Sequence, residues 1–336
     1  DWRRHVEKVR RVHTLVEGVR VRLDPKQPER PVAVRATVST FNATREAYSG
    51  GLGFAALPEG WQAGSAPAAI DKLAPTRTTY RDVEAFTASI PSDVDGIMTL
   101  KLKVSAAQGG STEVPARVCV LTAQRLPRPV VLDGRLDEWP MATNSAAGDF
   151  VLVGAQDVPK NGRPSPDRPS QPTIVFAGRD NDALYIAFNC QDDQLGRRVV
   201  TQSNQVRYDD LWPTGEDVIE VVLDPMGNAV VPADLLHIAI KANGAVVTER
   251  GAPCLKLVGG HGDWAGGVTV AVDEHSQPGR WMAEIRIPLA SLGKRAPIWG
   301  INFTRYVARL GEYSTWSGAR RYAYSPMSLG NVQLAN

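Results

Sequence analysis

The stretch Val131-Leu-Asp-Gly-Arg-Leu-Asp-Glu-Trp139 opens a pattern that runs almost to the last residue. It is a short acidic turn flanked by an apolar pair and a tryptophan, and alone it is weak evidence. Its weight comes from the downstream segments, in order: Asp180-Asn-Asp-Ala-Leu-Tyr-Ile-Ala-Phe188, Glu216-Asp-Val-Ile-Glu-Val-Val-Leu-Asp224, Trp281-Met-Ala-Glu-Ile-Arg-Ile-Pro288, Trp299-Gly-Ile-Asn-Phe-Thr-Arg305, Trp316-Ser317 and Leu329-Gly-Asn-Val-Gln-Leu334. Residues 217–224 set a wholly apolar face (Ile219, Val221, Leu223) against a mixed one (Val218, Glu220, Val222). That two-residue period predicts a strand with one face on a core. Residues 173–178 and 183–189 flank Arg179-Asp-Asn-Asp182 as the arms of a hairpin would. Further strand-like runs at 235–241, 268–272, 281–287 and 298–307 complete an antiparallel β-sandwich.

Working outward, residues 19–125 alternate in the same way. Val32, Val34, Ala36 and Val38 oppose Arg35 and Thr37; Met98, Leu100, Leu102 and Val104 oppose Lys101 and Lys103. Ser49-Gly-Gly51, Asp93-Val-Asp-Gly96 and Gln108-Gly-Gly110 read as turns. Gln124-Arg-Leu-Pro-Arg-Pro129 reads as the boundary, because closely spaced prolines break secondary structure and stiffen a linker. At the start, Val6, Val9, Val12 and Val16 recur at spacings of three and four, which predicts a helix ending at Gly18. The expected fold is therefore all-β: two β-sandwich domains in series, over 18–127 and 128–336, with a short N-terminal helix over 1–17. Residues 155–172 hold five prolines and predict a long surface loop of the kind that often carries function.

A chain of 336 residues, 43% apolar and 22% charged, is ordinary for a globular protein and long enough for two cores. The net charge of +2 implies no strong pull toward nucleic acid or anionic membrane. No apolar run approaches the roughly 18 residues of a membrane-spanning helix. Cys119, Cys190 and Cys254 fit no zinc spacing. Cys119 and Cys190 sit in strand-like runs and read as small buried hydrophobes, with one disulfide plus a thiol left open as an alternative. There is no nucleophile elbow, phosphate loop or dinucleotide fingerprint. A glycosidase needs only two carboxylates, but both halves read as noncatalytic sandwiches. The start at Asp1 suggests a processed protein or a piece of a longer one.

The series from Val131 to Leu334 resembles the family 9 carbohydrate-binding modules and their relatives, over about 200 residues. Upstream, a strand with Asn42, then Leu57-Pro-Glu-Gly-Trp61, Ile90-Pro91 and Gly96 resembles the Ig-like domain that sits beside such modules in bacterial glycoside hydrolases. That second resemblance implies a spacer with no site of its own. Together they imply a noncatalytic region that binds polysaccharide or oligosaccharide by stacking aromatic rings on the sugar's flat C–H faces. They also imply a location outside the cell, in the periplasm or at the surface, and an upstream catalytic domain in the parent chain. Members that bind sugar clamp it between two tryptophans. The first is matched here by Trp212, about two residues earlier than expected. The second falls in Arg320-Arg-Tyr-Ala-Tyr-Ser-Pro326, where Ala323 holds the expected place and Tyr322 and Tyr324 stand beside it, so a tyrosine would replace the tryptophan.

Glu216, Asn302, Arg305 and Arg320 lie in segments that match the family's binding face, and an arginine can hold vicinal hydroxyls with two hydrogen bonds. The other reading of Arg305 is an ion pair with a strand neighbour such as Glu220. Trp139, Trp281, Trp299 and Trp316 read as framework, while Trp264 is a second loop candidate. Related modules carry structural calcium, for which the loop pairs Asp192-Asp193 and Asp209-Asp210 are the candidate ligands. Haem-binding relatives need an axial His or Met; His237, Met226 and Met282 are near strands, but nothing pairs them. The rival functional reading is a structural or protein-interaction module of a surface protein that has lost sugar binding.

Overall fold

The computed structural model describes residues 11–335 except 25, 27, 28, 65, 92, 93, 140–144, 154–167, 202, 204, 210, 211, 252–260, 320 and 321. Its regular elements are strands, joined by turns and single turns of 3-10 helix. The chain divides into two compact units, Asp1–Pro91 with Met98–Val118, and Ser92–Ile97 with Cys119–Asn336.

In the first unit, Val12–Leu23, Val32–Asn42, Thr78–Thr87 and the short Gln62–Ala63 make one antiparallel sheet. Tyr48–Ala56 pairs with both Ala68–Leu73 and Ile97–Ala106 in a second. Val34, Val38, Val83 and Ala85 of one sheet and Leu52, Ile70, Leu102 and Val104 of the other are buried as the core of a sandwich. The helix expected over 1–17 is corrected: Val12–Leu23 is a strand, and residues 1–10 lie outside the described residues. The register slips once between Val16 and Gly18, so Val16, Val19 and Val21 are all buried. The bulge lies after the Val12–Val16 spacing of four, which an extended strand reproduces without one, because residues four apart share its face. The β-branched valines gain a full ladder along Val32–Asn42, which a lone helix could not match.

The boundary also moves. Strand Ser111–Arg125 runs from the first unit into the second, and the division falls at Val118/Cys119 inside it, upstream of the prolines. Its end pairs in parallel with Gly330–Leu334, Asn331 opposite Val120, and with Gly178 and Arg179.

The second unit is a sandwich of two largely antiparallel sheets. One orders Thr173–Arg179, Ala183–Gln191, Arg280–Pro288 and Thr269–Asp273. The other orders Val246–Gly251, Leu236–Lys241, Val218–Asp224 and Ile298–Val307, with Glu312–Thr315 and Gly330–Leu334 sharing the far edge of Ile298–Val307. Ile219, Val221 and Leu223 enter the core with Ile186, Phe188 and Ile285. Phe188 meets Phe303 edge-on at 5.8 Å, and Phe303 packs on Trp316 at 5.6 Å. Each such side chain contributes about 1.5–3 kcal/mol by burial. Trp139, Trp281, Trp299 and Trp316 are all buried, as framework residues should be.

The opening motif closes around Glu284. Trp139 Nε1 donates to Glu284 Oε1 at 2.8 Å, and the N–H groups of Asp133 and Gly134 donate to Oε2 at 3.0 and 2.9 Å. Gly134 has φ 82°, and a Cβ there would meet the Val272 carbonyl carbon at 2.7 Å, so the turn requires glycine. Leu136 and Trp139 then cover Phe176, Tyr185 and Met282 on the outer face of the first sheet.

Candidate functional site

Every residue of Val218–Asp224 is buried, on both faces of the second sheet. The outer face is polar yet closed to water. Glu220 Oε1 accepts from Tyr208 Oη at 2.8 Å, His237 Nε2 at 2.9 Å and Tyr324 Oη; Glu220 Oε2 accepts from Thr304 Oγ1 and Tyr313 Oη, each at 2.6 Å. His237 Nδ1 donates to Glu249 Oε1 at 2.8 Å. Burial alone would lower the His237 pKa, but the two carboxylates outweigh it and lift it to about 9. Burial would raise Glu220, but its hydrogen bonds and the His237 charge hold it near about 2. Burial, reinforced by the Glu220 charge, pushes the three tyrosines well above their usual value. An imidazolium with both nitrogens committed has no lone pair for iron, which removes His237 as a haem ligand.

The cluster anchors what lies over the sheet. Tyr208 begins a small ribbon in which Tyr208–Asp209 pairs with Trp212–Pro213, Asp209 opposite Trp212. Tyr208 and Tyr322, both half-buried, pack against one cluster of Val222, Leu235, Tyr324 and Leu329. The side chains of Trp212 and Asp209, and residues Asp210 and Arg320, lie outside the described residues.

Four candidates are corrected, because the structure uses them internally. Tyr324 is buried and holds Glu220. Glu216 is buried and accepts from Thr201 N at 2.7 Å and from the Lys241 ammonium at 2.9 Å. Asn302 Oδ1 accepts from Thr315 Oγ1 at 2.9 Å and Ser317 N at 3.1 Å, tying down the chain beyond Glu312–Thr315. Arg305, 1% exposed, donates to the carbonyls of Gln171 (3.4 Å) and Pro172 (3.2 Å) and to Thr173 Oγ1 (3.3 Å). It does not pair with Glu220 either. The register puts Thr304 opposite Glu220 and Arg305 opposite Ile219, so Arg305 and Glu220 project from opposite faces. Trp264 is buried, its Nε1 donating to the Ser291 carbonyl at 3.1 Å.

The acidic pair fits calcium poorly. Arg309 Nη2 lies 2.7 Å from both Asp192 Oδ1 and Asp193 Oδ1, so a guanidinium supplies the positive charge that a metal would. Among the described residues no group of three or more His, Cys, Asp or Glu side chains is arranged to hold a metal ion. Cys190 is buried, which lifts its thiol to about 11. The framework residues that sequence reasoning missed are Tyr208, Tyr313, Thr304, Lys241 and Glu249. Their signal was a polar side chain inside a strand, or beside one, at the same two-residue step as Glu220.

No protein-family model matches the chain, and no curated protein does. The chain is similar to solved family 9 carbohydrate-binding modules. One, from Caldicellulosiruptor kristjanssonii in complex with cellotriose, is similar over 65% of this chain and 94% of its own, at 16% identity and a TM-score of 0.44. Another, from the same organism in complex with glucose, covers 65% of this chain and 96% of its own, at 15% identity and a TM-score of 0.43.

Proposed function

We propose that the second unit is a noncatalytic carbohydrate-binding module whose platform is formed by Trp212 and Tyr322. One observation carries the reading: the ribbon that holds Trp212 and the segment that holds Tyr322 converge on the same cluster, over the same sheet face, through Tyr208. The buried Glu220 network makes that convergence stiff, which lowers the entropic cost of holding two rings in place. Stacking on one or two rings yields only a few kcal/mol, so single-site affinity falls at about micromolar to millimolar. In a longer extracellular, glycan-active parent, such a module would raise the local concentration of a catalytic domain near polysaccharide.

The test is a titration of intrinsic tryptophan fluorescence against soluble glucans and other glycans, with Trp212→Ala and Tyr322→Ala as controls. Binding lost in both variants supports the platform. A second reading, a structural or protein-interaction module, draws on the burial of Glu216, Asn302, Arg305 and Tyr324, which leaves few polar groups for hydroxyls. Wild-type protein that is folded and binds no glycan in the panel would favour it.

A further inference from the structure

The second unit also holds a cavity of about 220 Å³ that shares no lining residue with the proposed platform. Three segments meet there: the 3-10 turn Val94–Gly96, the chain from Gly148 to Phe150, and the chain from Arg168 to Ile174. The turn comes from the first half of the sequence but belongs to the second unit. Its place is fixed, because the Asp95 carbonyl accepts from Trp316 Nε1 at 3.0 Å and from Gly148 N at 3.3 Å. The Asp95 side chain lies close over Gly148. A Cβ on that glycine would come within 2.6 Å of the Asp95 carboxyl carbon, so a side chain at 148 would displace the carboxylate. Among the described residues the Asp95 carboxylate forms no hydrogen bond and no ion pair. Asp149, the other carboxylate of the lining, pairs with the Arg168 guanidinium at 2.5 Å. The lining therefore carries one more negative charge than positive, and Phe150, Pro169, Pro172 and Ile174 give it an apolar wall.

These parts ask three things of one ligand. A carboxylate that lines a cavity without a partner calls for a cation. The apolar wall calls for C–H surface. The Arg168–Asp149 pair, a donor beside an acceptor, calls for neighbouring hydroxyls. A metal ion would leave the wall unused, and a lysine side chain would bring no hydroxyls. The volume lies below the roughly 300–1,000 Å³ of drug-sized ligand pockets, so it takes one ring and not a chain. We propose that this cavity is a second binding site, for a single amino-sugar unit of the glucosamine type, with its ammonium on Asp95 and adjacent hydroxyls on Arg168 and Asp149. The inference stands apart from the Trp212–Tyr322 platform and would hold if that surface bound nothing.

The test is a titration of isotope-labelled protein with D-glucosamine hydrochloride, glucose and N-acetylglucosamine at matched ionic strength, read from amide chemical shifts. Gly148 and Asp149 are the reporters, since the Gly148 N–H is bonded to Asp95 itself. Glucosamine should move both amides with an affinity about fivefold tighter than that of glucose, and N-acetylation, which removes the charge, should abolish the advantage. Asp95→Asn should bring glucosamine down to the level of glucose. Asp95 stands at φ 58°, and asparagine tolerates that left-handed backbone at nearly the same size, so the variant should keep its fold. If it does not fold, the exposed Arg168 decides. Arg168→Ala should weaken glucose and widen its gap to glucosamine, because Asp149 loses the guanidinium charge. Equal affinities for the two sugars, an Asp95→Asn protein that still prefers glucosamine, or an Arg168→Ala protein with an unchanged gap would each overturn the proposal. So would shifts confined to the amides of Tyr208 and Trp212, which would leave the platform standing and remove this site.

Discussion

The two sheets of the second unit each carry a buried glutamate on the outer face, and the two behave in opposite ways. Among the described residues Glu284 accepts two backbone N–H groups and the Trp139 indole and forms no ion pair. Burial there outweighs the hydrogen bonds, and its pKa is raised. Glu220 accepts four hydroxyls and an imidazolium, and its pKa is lowered to about 2. Both pin covering segments to a sheet. The difference is that Glu220 is paired with a charge, while Glu284, among the described residues, is held by neutral donors. A buried carboxylate with neutral donors can do without its charge, whereas one that balances an imidazolium cannot.

That contrast is open to attack, most severely by isosteric substitution. Glu220→Gln leaves His237 charged beside one carboxylate instead of two, and should destabilise the unit by about 3–5 kcal/mol in urea unfolding. Glu284→Gln should cost only about 1–2 kcal/mol, since an acceptor oxygen remains for part of the N–H set. Equal losses would show that donor count, and not charge, sets the cost.

The pH profile sharpens the same point with a smaller effect. His237 has a raised pKa, so its stabilisation is full below its unfolded value of about 6.5 and fades as pH rises through about 9. Glu220 has a lowered pKa, so its stabilisation is full above its unfolded value of about 4.5 and fades as pH falls through about 2. The cluster should therefore contribute evenly between those two unfolded values. Glu284, raised, should run the other way and lose stabilisation as pH rises through the acid range. Urea midpoints across pH, in wild type and Glu220→Gln, would expose both slopes; a wild type with no alkaline loss beyond that of Glu220→Gln would contradict the buried imidazolium.

The smallest stability effect belongs to the proposed platform. Tyr322→Ala trims a half-buried ring at the edge of the cluster and should shift the urea midpoint by the equivalent of about 1 kcal/mol or less. Its glycan affinity should nevertheless fall tenfold or more. A large stability loss would place Tyr322 with Tyr324 as an anchor and leave the ribbon without its partner ring.

Much of the framework was legible in the order of residues. The run Val218–Asp224 announced itself by its two-residue step, and the acidic turn with Trp139 has the glycine that its close approach to Val272 demands. The N-terminal valines misled because a spacing of four, as from Val12 to Val16, fits one face of a strand as well as one face of a helix. The difference came from the partner strand Val32–Asn42, which lies elsewhere in the chain. The candidate site was less legible. Glu216, Asn302, Arg305 and Tyr324 have the chemistry of sugar contacts, yet each is spent inside.

The sequence by itself determined an all-β chain with two sandwich units and a set of buried tryptophans, because strand periodicity and turn chemistry are local properties. Only the tertiary structure decided which polar residues meet water. The outer face of a sheet is polar in its sequence whether it faces solvent or lies under other segments, and here Tyr208, Tyr322, Tyr324 and Leu329 lie over it. The register that separates Arg305 from Glu220, and the donors that gather on Glu220, arise from strands and loops brought together across long stretches of chain. No local pattern records that convergence.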